Sequence, residues 1–276
     1  MAHRLELQIA AKTDTGMVRS HNEDAIFSSP EDGIAILADG MGGYNAGEVA
    51  SAMAVDVTTQ YLKAGLPELT SQRRDTRLHH LVVESIQRAN TAILEAAHAD
   101  ERYEGMGTTI VVAIFREDKL TLAHVGDSRA YRLRANQLTQ ITRDHSLLQE
   151  QIDAGLVDPS WAPYAQNRNL VTRAVGVDAN MEVEIHEHQV EEGDVYLLCS
   201  DGLSDMLLDE KIREIMSQSD MPLEIACDTL VQAANGNGGN DNISVMLVGV
   251  HLLQVTRGGL FTRLANWASR FTTTIS

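Results

Sequence analysis

Residues 34–43, Ile-Ala-Ile-Leu-Ala-Asp-Gly-Met-Gly-Gly, join a short apolar run to an aspartate and a glycine-rich turn. A run of this length, bounded by glycine and by charge, is typical of a strand buried on both faces. Similar runs, rich in Val, Ile and Leu, recur at residues 109–115, 120–125, 195–199 and 243–250. The sequence therefore predicts sheets that are covered on both faces.

An aspartate stands at the end of four of these runs. Asp39, Asp127 and Asp201 each follow a run within two residues, and Asp241 precedes the last run by two residues. If the strand ends converge, the carboxylates share one small volume and repel one another unless a cation neutralises them. One Asp-Gly pair alone is most often a turn, but its repetition at strand ends favours a metal site.

The residue types at this site indicate which metal it would hold. Oxygen ligands without cysteine or paired histidine favour hard divalent ions, Mg²⁺ or Mn²⁺, over zinc. Arg19 lies in a polar segment that also carries Glu23 and Asp24. Alone it is more typical of a surface charge, but a guanidinium matches phosphate oxygens bidentately. An arginine beside a metal cluster is what a phosphomonoester site needs.

Two helical patterns lie between residues 45 and 100. Asn45 is a candidate N-cap with Glu48 three residues on, and the first helix is predicted to end near Gly65. The second places apolar residues from Leu78 to Ala97 on one face. Strands, then helices, then more strands favour an α+β fold over a βαβ repeat.

Residues 144–180 differ from the rest, with polar composition, two prolines and a short helical pattern near residues 147–154. They are predicted to be an excursion from the sheet core. From residue 255 onward the pattern changes again, with basic residues beside one apolar helical face. This amphipathic tail is suited to a partner or a membrane surface, and equally to packing on its own domain. The predicted division is a domain of residues 1–254 and a tail of residues 255–276.

The bulk composition excludes several classes of protein. With 276 residues, 43% hydrophobic and 22% charged, the chain is predicted to form one globular domain. A net charge of −17 argues against nonspecific binding to nucleic acid. Cys199 and Cys227 are too few for a disulfide scaffold and are predicted to be buried thiols. No signal peptide or bilayer-length apolar stretch is present in the sequence, which predicts a cytoplasmic protein.

Eight segments together resemble a known family. In order and spacing they resemble the motifs of bacterial metal-dependent serine/threonine protein phosphatases of the type 2C (PPM) family: TDTGMVRSHNEDAIF, ILADGMGGYNAGEVAS, GTTIVVAIF, LAHVGDSRAYRL, LTQITRDHSLL, NLVTRAVG, DVYLLCSDGLSDML and GGNDNISVMLV. Each motif is weak alone, but eight in order are specific. The resemblance covers about residues 8–252, nearly the whole chain.

The resemblance implies a four-layer α-β-β-α sandwich, with two central antiparallel sheets flanked by helices and a metal cluster at one end. It implies that Asp39 bridges two ions, Mn²⁺ or Mg²⁺, and that the carbonyl of Gly40 binds one of them. Asp201 and Asp241 then complete the protein ligands of the second ion. A third, weaker ion is implied between Asp127 and Asp201.

Further roles follow from the same resemblance. Glu23 and Asp24 match positions that hold metal-bound water, and Arg19 matches the arginine that binds substrate phosphate. The excursion at 144–180 matches a mobile flap beside the site. One position departs from the pattern, because Tyr44 stands where many bacterial relatives have a histidine associated with proton donation. Tyrosine is a poor acid at neutral pH, with an ordinary pKa of about 10, so a metal-bound water is the alternative donor.

The implied reaction is one-step hydrolysis, in which a hydroxide bridging the ions on Asp39 attacks phosphorus in line. Arg19 and the metals would stabilise charge on the phosphoryl oxygens. Ser200 is not favoured as a nucleophile, because no GxSxG turn surrounds it and no motif places a histidine base. His21 and His145 lie in or near the motifs and are predicted to be structural or solvent-facing.

Two other functions are alternatives to hydrolysis. One is a catalytically weak relative that binds phosphoproteins as a regulatory module, although no ligand position is lost. The other is a calcium-binding structural protein, but the sequence has no EF-hand spacing. The partners implied by family analogy are phosphorylated Ser/Thr proteins and a cognate kinase. The protein is expected to be a monomer.

Overall fold

The computed structural model describes residues 3–42, 46–69, 74–158, 161, 170–218 and 220–254. The strands in these ranges are β1 (His3–Asp14), β2 (Asp24–Ser29), β3 (Ile34–Met41), β4 (Gly107–Thr108), β5 (Ile110–Arg116), β6 (Lys119–Val125), β7 (Arg129–Arg134), β8 (Gln137–Gln140), β9 (Glu184–Gln189), β10 (Val195–Cys199) and β11 (Ile243–Gln254). The helices are α1 (Ala46–Gly65), α2 (Arg74–Ala99), α3 (Leu147–Asp153), α4 (Asp201–Ser204), α5 (Asp209–Met216) and α6 (Leu223–Gly236). Within the described ranges, no helix has both the length and the apolar character needed to cross a bilayer.

The strands form two antiparallel sheets. The first sheet has the order β1-β11-β10-β7-β8, and the second has the order β2-β3-β5-β6-β9 with β4 paired to β3. Helices α1 and α2 pack on the outer face of the second sheet, and α4, α5 and α6 pack on the outer face of the first. A third apolar layer lies between the sheets. The predicted α+β four-layer sandwich is confirmed.

Strand β3 shows why the buried strands read as continuous apolar runs. Ile34, Ile36 and Ala38 pack in the layer under α1 and α2, whereas Ala35 and Leu37 pack in the layer between the sheets. Since both faces of the strand are covered, no position in it favours a polar side chain. Buried Cys199 and Cys227 agree with their prediction as inert thiols.

Strand β1 was not predicted, because it lacks such a run. It pairs with β11 over its whole length and forms the edge of the first sheet. Leu5, Leu7 and Ile9 pack towards the second sheet, and Glu6 and Gln8 are exposed. A strand with one wet face alternates polar and apolar residues, which gives a weaker signal than a buried run.

The strand ends named in the sequence meet at one end of the sandwich. Asp24 pairs with Asp39 across β2 and β3, and Cys199 pairs with Val245 across β10 and β11. The hydroxyl of Ser200 donates a hydrogen bond of 2.9 Å to Asp24 Oδ2 and so joins the two sheets. The predicted convergence of strand ends therefore occurs, and it involves both sheets.

Some predictions fall on residues outside the described ranges. These include the proton donor position Tyr44, the N-cap Asn45 and the amphipathic tail from residue 255. In the described part of 144–180, the chain forms α3 and two isolated bridges, Ser146 with Val171 and Thr108 with Val175. The Thr108–Val175 bridge attaches that part to the sheet core.

Candidate metal centre

Asp39 lies near the end of β3, and two threonines hold its backbone. Its N–H donates to Thr109 Oγ1 at 3.0 Å, and its carbonyl accepts from the Thr109 N–H and the Thr108 hydroxyl, both at 2.8 Å. Thr109 Oγ1 also lies 2.7 Å from Ser128 Oγ, next to Asp127. The threonines therefore fix Asp39 relative to the Asp127 loop. No role was predicted for them, although they lie in the quoted GTT segment.

Asp201 begins α4, and Asp241 lies just before β11. The backbones of these two segments meet where Gly202 approaches Asn242. A Cβ atom added to Gly202 would lie 2.0 Å from the carbonyl oxygen of Asn242. Only glycine therefore allows these two segments to approach so closely. The SDG and DN motifs, far apart in sequence, form one continuous wall of the site.

Asn242 connects this wall to the segment that carries Arg19. Its amide nitrogen donates to the carbonyls of Thr15 and His21, both at 2.9 Å, and its Oδ1 accepts from the Glu23 N–H at 2.8 Å. Three hydrogen bonds from one side chain hold the loop before β2 against the start of β11. Asn242 is a supporting residue that was missed, although the DN motif contains it.

The carboxylates of the cluster repel one another electrostatically. Burial raises the pKa of Asp39 well above its ordinary value, and the charges of Asp24, Asp201, Asp127 and Asp241 raise it further. Burial is also the first cause of the raised pKa of Asp201, and it raises the pKa of Asp24 and of Asp127 to about 6. Ionised together at neutral pH, these groups need a cation beside them.

One buried oxygen supports this requirement directly. Asp24 Oδ2 accepts the Ser200 hydroxyl, but Asp24 Oδ1 is buried and has no hydrogen-bond partner within the described residues. A buried acceptor without a partner costs roughly 1–3 kcal/mol, so such atoms in native proteins usually face an ion or a water. Oxygen-only donors of this kind fit Mg²⁺ or Mn²⁺.

Arg19 lies at the rim of the cluster, where Nη2 donates to Asp241 Oδ2 at 2.7 Å. This hydrogen bond is the first cause of the raised pKa of Arg19, and the charges of Glu23 and Asp39 act in the same direction. The side chains of Arg19 and Asp241 are 49% and 32% exposed. An ion pair this exposed contributes about 1 kcal/mol or less, so either partner is free to exchange it for a ligand.

We expect Arg19→Ala to raise the KM for p-nitrophenyl phosphate and to lower kcat/KM by about 10²-fold, the usual cost of one transition-state donor. The Mn²⁺ concentration for half-maximal activity should stay the same or fall, because Asp241 loses a competing partner. Arg19→Lys is the matched variant and should recover only part of the loss, since lysine lacks the bidentate fork. Unchanged kcat/KM in both variants would contradict a phosphate-binding role.

Gly40 allows β3 and α1 to meet beside the carboxylates. A Cβ atom at Gly40 would lie 2.1 Å from the carbonyl oxygen of Gly47 and 2.6 Å from that of Glu23. The Gly40 N–H donates to the same Glu23 carbonyl at 3.1 Å. Both obstructing atoms are backbone, so no side-chain rotation can relieve the contact.

Gly40→Ala is therefore expected to lower the free energy of unfolding by about 3 kcal/mol or more. Gly236→Ala is the control, because a Cβ there meets nothing within 4 Å and a helix-end alanine should be neutral or stabilising. Urea denaturation of both variants measures the difference. Equal stability of Gly40→Ala and the parent would show that the backbone yields at this contact.

A cavity of about 680 Å³ opens beside two of the aspartates. Asp127 and Asp201 lie on one side of it, and α3 and the segment from Ser204 to Glu210 form the other sides. The guanidinium of Arg129 donates to both oxygens of Asp144 at 2.6–3.0 Å and so fixes the base of the excursion at this cavity. The cavity connects Asp127 and Asp201 to solvent.

The structure thus brings the predicted site residues to one end of the sandwich: Arg19, Glu23, Asp24, Asp39, Gly40, Asp127, Asp201 and Asp241. Of the two histidines weighed, His145 is buried and hydrogen-bonded, in agreement with a structural role.

Known proteins are similar to this chain in sequence and in fold. Residues 17–246 match the family model described as protein phosphatase 2C. The serine/threonine phosphatase stp of Listeria welshimeri is 38% identical over 249 residues, 89% of this chain and 97% of that protein. The crystal structure of the Mycobacterium tuberculosis serine/threonine phosphatase PstP/Ppp superimposes with a TM-score of 0.78 at 35% identity, covering 89% of this chain and 99% of that one. A structure of the PstP catalytic domain in complex with two manganese ions has a TM-score of 0.76 at 35% identity, covering 90% and 100%.

The four-layer sandwich, the carboxylates clustered at one end and the matching relatives together identify a metal-dependent phosphatase. The chain belongs to the protein phosphatase 2C family. The family resemblance, the fold and the serine/threonine phosphatase function predicted from the sequence are confirmed.

Proposed function

We propose that this chain hydrolyses phosphoserine and phosphothreonine in proteins in a single step, with two core Mn²⁺ or Mg²⁺ ions and a third, weaker one. The observation that carries the proposal is the convergence of Asp39, Asp201 and Asp241 beside Arg19, whose guanidinium lies 2.7 Å from Asp241. The two manganese ions of the PstP catalytic domain support the choice of metal.

The roles proposed for the residues follow from their positions. Asp39, the Gly40 carbonyl, Asp201 and Asp241 would hold the two core ions, with Asp39 shared between them. Asp127 and Asp201 would hold the third. When bound, the ions supply hydroxide at neutral pH and neutralise charge on the phosphoryl oxygens.

The remaining work is done by the protein side chains. Arg19 leaves Asp241 and holds two oxygens of the substrate phosphate, which orients phosphorus for in-line attack. Glu23 and Asp24 accept hydrogen bonds from water at the centre, and Asp24 Oδ1, which has no hydrogen-bond partner among the residues that the structure describes, supports this role. Ser200 does not act as a nucleophile, since it is fully buried and its hydroxyl is committed to Asp24.

The test is hydrolysis of p-nitrophenyl phosphate and of a phosphothreonine peptide by the full chain. We expect chelation to abolish turnover, Mn²⁺ or Mg²⁺ to restore it, and Asp241→Asn to remove most of it. Asp228→Asn is the matched control, because Asp228 is an exposed aspartate that pairs with Lys12 far from the cluster. Full activity in chelator would exclude the metal mechanism.

A catalytically weak module that binds phosphoproteins is the second candidate. It is distinguished by turnover, since such a module would bind a phosphopeptide without releasing phosphate. We also propose that the protein is a monomer and that a cognate Ser/Thr kinase is one of its partners. The tail of residues 255–276 is proposed to contact a partner or a membrane surface. The excursion at 144–180 is proposed as a flap beside the site, supported by its bordering the cavity at Asp127 and Asp201.

A further inference from the structure

Two buried histidines and a glutamate form a cluster behind the turn that carries Asp127. The rings of His124 and His145 stack with their centroids 4.7 Å apart. Glu184 on β9 lies opposite His124 in the β6–β9 ladder. The donor atoms of the three residues lie within 4.8 Å of one another, so by residue type the cluster could hold a cation.

The hydrogen bonds of the cluster argue for a different role. His124 Nε2–H donates to the carbonyl of Arg143 at 2.8 Å. The Gly126 N–H donates to His145 Nδ1 at 3.2 Å, and His145 Nε2–H donates to Glu184 Oε2 at 3.2 Å. His145 Nδ1 accepts a hydrogen bond and therefore carries no proton, so this ring is neutral with its proton on Nε2. Burial lowers the pKa of both rings, which acts in the same direction. Both nitrogens of His145 are already used, and a cation on Nε2 would have to displace its proton.

His145 instead holds the Gly126 peptide from both sides. Its ring accepts the Gly126 N–H, and the backbone N–H of His145 donates to the Gly126 carbonyl at 3.0 Å. Gly126 has φ of +105°, and a Cβ there would lie 2.6 Å from the side chain of Thr109. Gly126 has no side chain that could hold this turn, and the conformation of the turn sets where the next residue, Asp127, points.

His145 also lies at the base of the 144–180 excursion. Its carbonyl accepts the Thr172 N–H at 2.8 Å, and the adjacent Ser146 bridges Val171. The orienting partner Glu184 accepts a second hydrogen bond from His186 Nε2 at 2.7 Å. One ring therefore connects the base of the excursion, β9 and the Asp127 turn.

We propose that His145 is a positioning residue: by accepting the Gly126 N–H it holds the Asp127 carboxylate towards Asp201 and so sets the affinity of the weakest divalent cation. This inference rests on the proposed function, in which Asp127 and Asp201 bind that cation. Residues that orient metal ligands usually change metal affinity by about 10- to 100-fold when altered.

Two substitutions separate the two hydrogen bonds of the ring. His145→Asn keeps an oxygen where Nδ1 accepts the Gly126 N–H and loses the donor to Glu184. His145→Gln places an N–H donor near Glu184 and loses the acceptor for Gly126. We expect His145→Gln to weaken the weakest Mn²⁺ site by about 10-fold or more, with the two tighter sites unchanged, and His145→Asn to stay within about 3-fold of the parent.

Mn²⁺ binding to the full chain is measured by the EPR signal of free Mn²⁺, with thermal melting to show that each variant is folded. His186→Gln is the control, because His186 shares Glu184 but does not touch Gly126. At saturating Mn²⁺, the kcat of His145→Gln should recover. If His145→Gln does not fold, His145→Leu tests the same hydrogen bond, because leucine fills part of the ring's space but offers Gly126 no acceptor, and it should weaken the same site.

Three outcomes would overturn these roles separately. Parent-like binding by His145→Gln, with loss of the weakest site in Asp127→Asn, would reject the inference and keep the proposed ligand. Equal weakening by His145→Asn and His145→Gln would assign the effect to ring packing. Unchanged binding by Asp127→Asn would reject the proposed third-ion role itself.

Discussion

Replacing Asp39 by asparagine is expected to lower kcat/KM for a phosphothreonine peptide by about 10³-fold or more, and in chelator to raise the melting temperature. Asp39 is the proposed bridging ligand, so the activity loss follows from the loss of both core ions. The stabilisation follows because burial and four neighbouring carboxylates raise the pKa of Asp39. Removing a charge from such a site relieves repulsion when no cation is present.

The two effects of Asp39→Asn have opposite signs, which separates catalysis from folding. Steady-state kinetics in Mn²⁺ and thermal melting in chelator measure them on the same preparation. Asp228→Asn should change neither by much, since its exposed pair with Lys12 contributes about 1 kcal/mol or less. A variant that is inactive and also less stable in chelator would mean that Asp39 supports the fold and not only the metals.

Saturating Mn²⁺ is expected to raise the melting temperature at pH 7.5 by on the order of 5 °C, and by clearly less at pH 5. A ligand at 100 times its Kd contributes about 2.7 kcal/mol to the folded state, and about 2 °C per kcal/mol is typical of a chain this long. Burial raises the pKa of Asp24 and of Asp127 to about 6, so at pH 5 protons compete with the cation.

The sign of the pH effect in chelator follows from the same groups. An acid whose pKa is raised by folding favours the folded state at low pH, and that contribution is lost as pH rises through about 6. These groups therefore destabilise the metal-free protein at pH 7.5, where the cation reverses their effect. Thermal melting in chelator and in Mn²⁺ at both pH values measures the increase in melting temperature that Mn²⁺ causes. This increase should be smaller in Asp39→Asn. A Mn²⁺-induced increase in melting temperature that is the same at pH 5 and pH 7.5 would show that the carboxylates are already ionised at pH 5.

The buried strands and the ligand aspartates were predictable because their signals are local. Strand β3 is covered on both faces, so its apolar run from Ile34 to Ala38 marks it, and Asp39 comes directly after that run within the same strand. The elements that were missed are strands β1, β2, β4, β7, β8 and β9 and helices α4, α5 and α6. Strand β1 has one solvent-exposed face, which weakens its apolar pattern. Helix α4 spans four residues, too few for a helical period to show.

The sequence by itself determined the fold class, the identity of the carboxylates and, through eight ordered motifs, the family. Only the tertiary structure decided which groups contact each other: Arg19 with Asp241 across 222 positions, and His145 with Gly126 across 19. Local patterns record whether a residue is buried, because burial is set by the period of its own element. A hydrogen-bond partner from another element depends on how the layers pack, and no local pattern encodes that.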